Sequence, residues 1–190
     1  MQALLDYGPR YARVLSSTGL AFQAPTELSA LAVVERLQGD STTDFGAPSV
    51  APTADAQPLT EDELQRLQTV LAACWQALDA AAEAARGKAL RKGPRGGGRE
   101  LDKILHHVLE AEAGYLSALG WKLQQDTQAD LSQQAERTHQ AVLDALAAAA
   151  RGEIPPRGPR GGLRWTPRYF VRRAAWHVLD HAWEIEDRAQ

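Results

Sequence analysis

From Leu59 to Arg188 the chain is cut into four apolar-periodic segments, and that division constrains its fold more than any other feature. LTEDELQRLQTVLAACWQALDAAAEAA opens on Thr60 and Glu63, a capping box in which hydroxyl and carboxylate each satisfy a backbone N–H. Leu64, Leu67, Val70, Leu71, Cys74, Trp75 and Leu78 then recur at helical spacing. The second segment, RELDKILHHVLEAEAGYLSAL, places Leu101, Ile104, Leu105, Val108, Tyr115 and Leu119 on one stripe, interrupted by Glu112, and stops at Gly120. A third runs from about Thr127 to Ala150, with Leu131, Val142, Leu143 and Leu146 among many alanines, the best helix formers. Thr166 and Pro167 open a fourth, a side-chain cap followed by proline at the first helical position, and it continues to about Arg188. Four such amphipathic helices joined by modest loops specify an all-α four-helix bundle over residues 59–190.

Residues 1–58 follow another pattern and form an N-terminal appendage of helix, strand and loop. Ala3 to Ser16 suits a short helix. Leu31 to Gln38, with the β-branched pair Val33 and Val34, suits a strand. GDSTTDFGAPSVAPTADAQP is rich in turn formers and is expected as an ordered loop over the bundle surface. A net charge of −3 gives no pull toward nucleic acid or an anionic membrane. The lone cysteine, Cys74, excludes an internal disulfide and lies in an apolar run, where a buried inert thiol is expected. No apolar run reaches the ~18 residues a membrane span needs, and no leader pattern is present, so the expectation is a cytoplasmic protein.

The chemistry concentrates in the fourth helix. His177 and His181 stand four apart in AAWHVLDHAWEIEDR, one turn from each other on one face. Two imidazoles at that spacing reach one divalent ion at ~2.0–2.1 Å, although a hydrogen-bonded pair at a helix seam has the same spacing. Phe170, Val171, Ala174, Val178, Ala182 and Ile185 form the core stripe; His181 falls within it and His177 at its edge. A tight site needs a third ligand from another helix. His107 lies nearer the apolar stripe of the second helix than His106, and Ala111, Gly114 and Ala118 share its flank, leaving room for a ligand or a close helix contact. His139, between Gln and Arg residues, is expected on the surface. Three neutral imidazoles leave coordination positions open, as a catalytic metal requires, and Asp180, Glu184, Glu110 or Glu112 are candidates to orient them.

A histidine in the second helix with HxxxH in the fourth resembles the DinB-like superfamily of metal-dependent enzymes, over about Leu59 to Arg188. The matching stretches are LDKILHHVLEAEAGYL and RYFVRRAAWHVLDHAWEIEDR. The resemblance implies an up-down-down-up bundle and a homodimer. It carries the metal triad onto His107, His177 and His181, with His106 as the competing third ligand. Zinc or nickel is the expected ion, and a low-molecular-weight thiol is an implied cofactor, since members of the superfamily include thiol S-transferases.

GPRGG occurs at Gly93 to Gly97 and again at Gly158 to Gly162, each time ahead of a histidine-bearing helix. If the two loops meet at the metal end, Arg95, Arg99, Arg160 and Arg164 would hold an anionic cofactor or small-molecule substrate. Trp165, Tyr169, Phe170 and Trp176 could line the pocket, though such aromatics also suit a core. The expected activity is metal-dependent thiol transfer or hydrolysis; the alternative is a non-catalytic dimeric scaffold that binds a metal or small ligand at a vestigial site.

Overall fold

A computed structural model describes residues 1–92, 98–124, 126 and 128–190. Among the described residues the fold is all-α, with no strand. The helices are α1 (Gln2–Leu15), a single turn α2 (Ser41–Asp44), α3 (Glu61–Ala85), α4 (Leu101–Leu119), α5 (Leu131–Ala150) and α6 (Pro167–Arg188). No helix is long and apolar enough to cross a membrane.

The helix ends form where their side chains demand. Thr60 and Glu63 make the expected capping box on α3. Thr166 Oγ1 accepts from the Tyr169 N–H at 3.3 Å. Gly120 ends α4 at a φ of 102°, open to glycine but strained for other residues, and the Arg164 side chain lies against it where a Cβ would stand. α5 starts later than expected because Asp130 accepts from the Gln133 N–H at 2.9 Å and fixes the first turn there; Thr127 lies outside the described residues.

The core sits between the four long helices. Leu71, Cys74, Ile104, Val108, Leu116, Val142, Leu146, Phe170, Val178 and Ile185 are all buried in it. The expected α6 stripe is buried throughout, which places Phe170 in the core rather than in a pocket wall. Cys74 is likewise enclosed, and burial raises its thiol to about 12, consistent with an inert packing group. Contacts run between α3 and α6, α4 and α6, α4 and α5, and α3 and α5.

Residues 1–58 wrap α6 at both ends. α1 packs on α3 and reaches the C-terminal half of α6 with its side chains: Arg10 pairs with Glu186 at 2.6 Å and Asp187 at 3.0 Å, and Tyr7 lies on Trp183 with ring centroids 5.1 Å apart. Residues 40–58 form a strap along its N-terminal half. Arg168 donates to the Gln57 and Pro58 carbonyls, and Arg172 grips buried Asp55 with two hydrogen bonds of 3.0 and 2.7 Å. The Tyr169 hydroxyl donates to the Ser49 carbonyl at 2.8 Å, and Arg173 donates to the Pro48 carbonyl at 3.2 Å. The strand expected at Leu31 to Gln38 is absent: residues 31–40 carry no regular structure, and Val34 is 94% exposed. Its β-branched pair finds no neighbouring edge, and without a partner a strand cannot satisfy its backbone.

Candidate metal centre

His107 of α4 and His177 and His181 of α6 converge, each offering one nitrogen, with the three nitrogens all within 4.8 Å of one another. His177 Nε2 stands 3.3 Å from His107 Nε2. Two nitrogens bound at ~2.05 Å to a common tetrahedral ion stand about 3.3 Å apart, so this edge already has the length of a coordination polyhedron. His177 and His181 are 7% and 6% exposed, and His107 is half-buried at the mouth. His106 points to solvent on another flank, so the doublet resolves in favour of His107.

The tautomers are constrained from outside. His181 Nδ1 lies 2.8 Å from Glu184 Oε2, which leaves Nε2 as its inward nitrogen. Glu184 is held in turn by Arg188, whose guanidinium also reaches the carbonyls of Arg91 and Arg99. Asp180, the other orienting candidate on α6, is exposed and bonds to no imidazole. Glu110 is exposed as well. Burial, then the neighbouring imidazoles and the charges of Arg173 and Arg99, lowers His177 to about 3. His107 is lowered by burial and by Arg99. His177 is thus a neutral lone-pair donor at physiological pH, and its buried Nδ1 has no hydrogen-bond partner.

A pocket of about 420 Å³ adjoins the trio along α4. Ala111, Gly114 and Ala118 form its floor, as their small size on the His107 flank suggested, and Tyr115, Trp165, Tyr169 and Arg173 form its walls. Thr42, Pro48 and Ser49 of the strap close one side. Asp44 and Phe45 stay outside, with Phe45 86% exposed. The Tyr115 ring lies edge-on to His177 at 5.8 Å, linking pocket and trio.

Among the described residues the two basic loops do not meet. Arg99 lies at the α4 N-terminus, close enough to the trio for its charge to lower two of the imidazoles. Arg164 lies at the other end of α4, against Gly120, and donates to the Pro155 carbonyl. Arg160 is exposed in the same distant turn, and Arg95 lies outside the described residues. The physical reason is that the second loop is tied to the α4 C-terminus by the Trp165 N–H to the Ala118 carbonyl, opposite the end that carries His107.

A second buried cluster was only half visible in the sequence. Glu112 is fully buried and accepts from the Trp75 indole N–H at 2.7 Å, while its Oε2 has no hydrogen-bond partner. His139 is not on the surface: its ring stacks on Trp75 with centroids 3.9 Å apart, and its Nε2 is 3.7 Å from Glu112 Oε2. Burial raises Glu112 to about 7 and lowers His139 to about 4, so between those values both are neutral. A carboxylate inside an apolar stripe was the signal for Glu112. For His139 the signal was its place three and seven residues before Val142 and Leu146, which the polar neighbours masked.

No protein-family model, curated protein or solved structure matches the chain.

Proposed function

We propose that the chain is a metal-dependent enzyme of the thiol S-transferase or hydrolase kind, with a divalent ion, zinc or nickel, held by His107, His177 and His181. The observation that carries this is the convergence of three imidazole nitrogens beside a pocket, with a 3.3 Å nitrogen–nitrogen edge. His177, lowered to about 3 chiefly by burial, stays neutral at physiological pH, as a metal-ligating imidazole must, and its 3.3 Å contact with His107 fits either a shared ion or one N–H between the rings. The donor set fits a catalytic rather than a structural ion, because three protein ligands leave a position open and Cys74 is sealed in the core.

A bound divalent ion supplies positive charge that makes a neighbouring thiol or water more acidic. The rest is the work of side chains. Glu184 fixes the His181 tautomer, and Arg188 fixes Glu184. The small residues of α4 leave an open pocket for substrate next to the imidazoles, with Tyr115 between pocket and trio.

The residue contacts also support an up-down-down-up four-helix bundle. Glu63 meets Arg168 near the starts of α3 and α6, and Leu90 meets Ala189 beyond their ends, which makes those helices parallel. His107 meets His177 while Trp165 meets Ala118, which makes α4 antiparallel to α6. Gln68 meets Leu143 while Trp75 meets His139, which makes α5 antiparallel to α3.

Elemental analysis of the purified protein tests the reading, with one tightly held divalent ion per chain as the expected result. Thiol-transfer and hydrolysis assays with and without added low-molecular-weight thiol then separate the two chemistries. Metal retained without turnover in either assay would favour the scaffold reading, and no metal at all would overturn the enzyme reading and leave only a scaffold for a small ligand.

A further inference from the structure

Most arginines along α6 are already committed. Arg168 pairs with Glu63, Arg172 with Asp55 and Arg188 with Glu184. Arg173 has no carboxylate within 4.0 Å among the described residues; it donates to the Pro48 carbonyl and also reaches the Tyr115 hydroxyl. Its guanidinium lies 4.9 Å from the Trp176 ring and 5.7 Å from the Tyr115 ring, which hold it in place on the wall of the 420 Å³ pocket. A half-buried guanidinium seeks a counter-ion, and its planar fork matches a carboxylate bidentately.

We propose that Arg173 anchors the negative end of the ligand of this pocket, and that the ligand is a small organic carboxylate with an apolar body. One charge is what the pocket balances, because among the described residues no other cationic side chain lines it. The apolar body matches Trp165, Tyr115 and the floor of Ala111, Gly114 and Ala118. A volume of about 420 Å³ suits a compact molecule. Arg173 precedes His177 by one helical turn, about 6 Å along α6, so a ligand anchored there presents its other end to the imidazoles. That last orientation rests on the proposed metal site; the carboxylate anchor does not.

Isothermal titration of the metal-free protein with 3-phenylpropionate and with 3-phenylpropanol separates charge from shape. Wild type is expected to bind the acid at least tenfold more tightly than the alcohol. Arg173→Gln should bind the two alike, Arg173→Lys should recover part of the preference, and Arg13→Gln, an exposed arginine on α1, should behave as wild type. Equal binding of acid and alcohol by wild type, no binding of either, or an unchanged preference in Arg173→Gln overturns the proposal. If Arg173→Gln does not fold by circular dichroism, the wild-type comparison and the lysine variant decide it. Divalent-ion uptake, measured when zinc or nickel is added back to the same preparations, keeps the two proposals apart. Acid preference without metal uptake sinks the metal reading and leaves the anchor, while metal uptake without acid preference does the reverse.

Discussion

α4 serves two buried polar clusters that share a helix and little else. His107, with His177 and His181, faces α6; five residues on, Glu112, with Trp75 and His139, faces α3 and α5. Five residues turn a helix by about 140°, so the two clusters occupy separate seams. In the first, three ring nitrogens lie within 4.8 Å of one another and a pocket lies alongside, reached through Tyr115. In the second, the indole N–H already binds the carboxyl and the imidazole is stacked flat, with a single oxygen left over. Burial alone therefore does not mark a binding site, since each cluster holds one unpartnered buried polar atom; what sets the first apart is three ring nitrogens within 4.8 Å of one another.

The largest test of that contrast removes a converging nitrogen. His177→Ala or His181→Ala should weaken divalent-ion binding at least ~1,000-fold, read as loss of the ion from purified protein, whereas His139→Ala should leave metal content unchanged. Metal lost equally in all three would erase the distinction.

The sealed cluster should instead respond to pH. Glu112 is raised to about 7, so the folded chain keeps a proton that the unfolded chain loses near 4.5. Its contribution to stability is full at low pH and declines as pH rises from about 4.5 to 7. Glu112→Gln keeps an acceptor for Trp75 and removes that decline, so the variant should gain on wild type by up to about 3 kcal/mol over that range. His139, lowered to about 4 from 6.5, acts in the opposite sense, adding stability as pH climbs between those values. The variant should uncover that rise in urea unfolding at several pH values. A constant difference between variant and wild type would mean that Glu112 titrates normally.

A smaller effect is expected one layer out from the trio. Glu184→Gln should weaken metal binding by about 10- to 100-fold while leaving the fold intact, because it loosens the orientation of His181 without removing a donor. The smallest concerns the strap that walls the pocket. Asp55→Asn should cost on the order of 1 kcal/mol, since Arg172 is half exposed, and should speed proteolysis within residues 40–58 while metal content stays the same.

The long helices were legible because each carries its own punctuation: Thr60 with Glu63, Gly120, Thr166 with Pro167. The trio was legible for the same local reason, since spacing along one helix put His177 and His181 together and the small flank of α4 favoured His107. What escaped depends on partners distant in sequence. The path of residues 48–58 is set by arginine and tyrosine side chains of α6, more than a hundred positions later, and leaves no periodic trace. The separation of the two basic loops follows from helix direction, which a stripe of apolar residues does not encode. His139 was hidden because its inward partner, Trp75, belongs to another helix.

The attachment of the first residues to the last helix also sets an order of assembly. Arg10 finds its carboxylates at Glu186 and Asp187, and Asp55 its guanidinium at Arg172. α1 also packs on α3, but the ion pairs of Arg10 and Asp55 cannot form until α6 has been made. Their formation closes very long loops and belongs at the end of folding, so the wall of the pocket is finished only after the helix that carries two of its three histidines is in place.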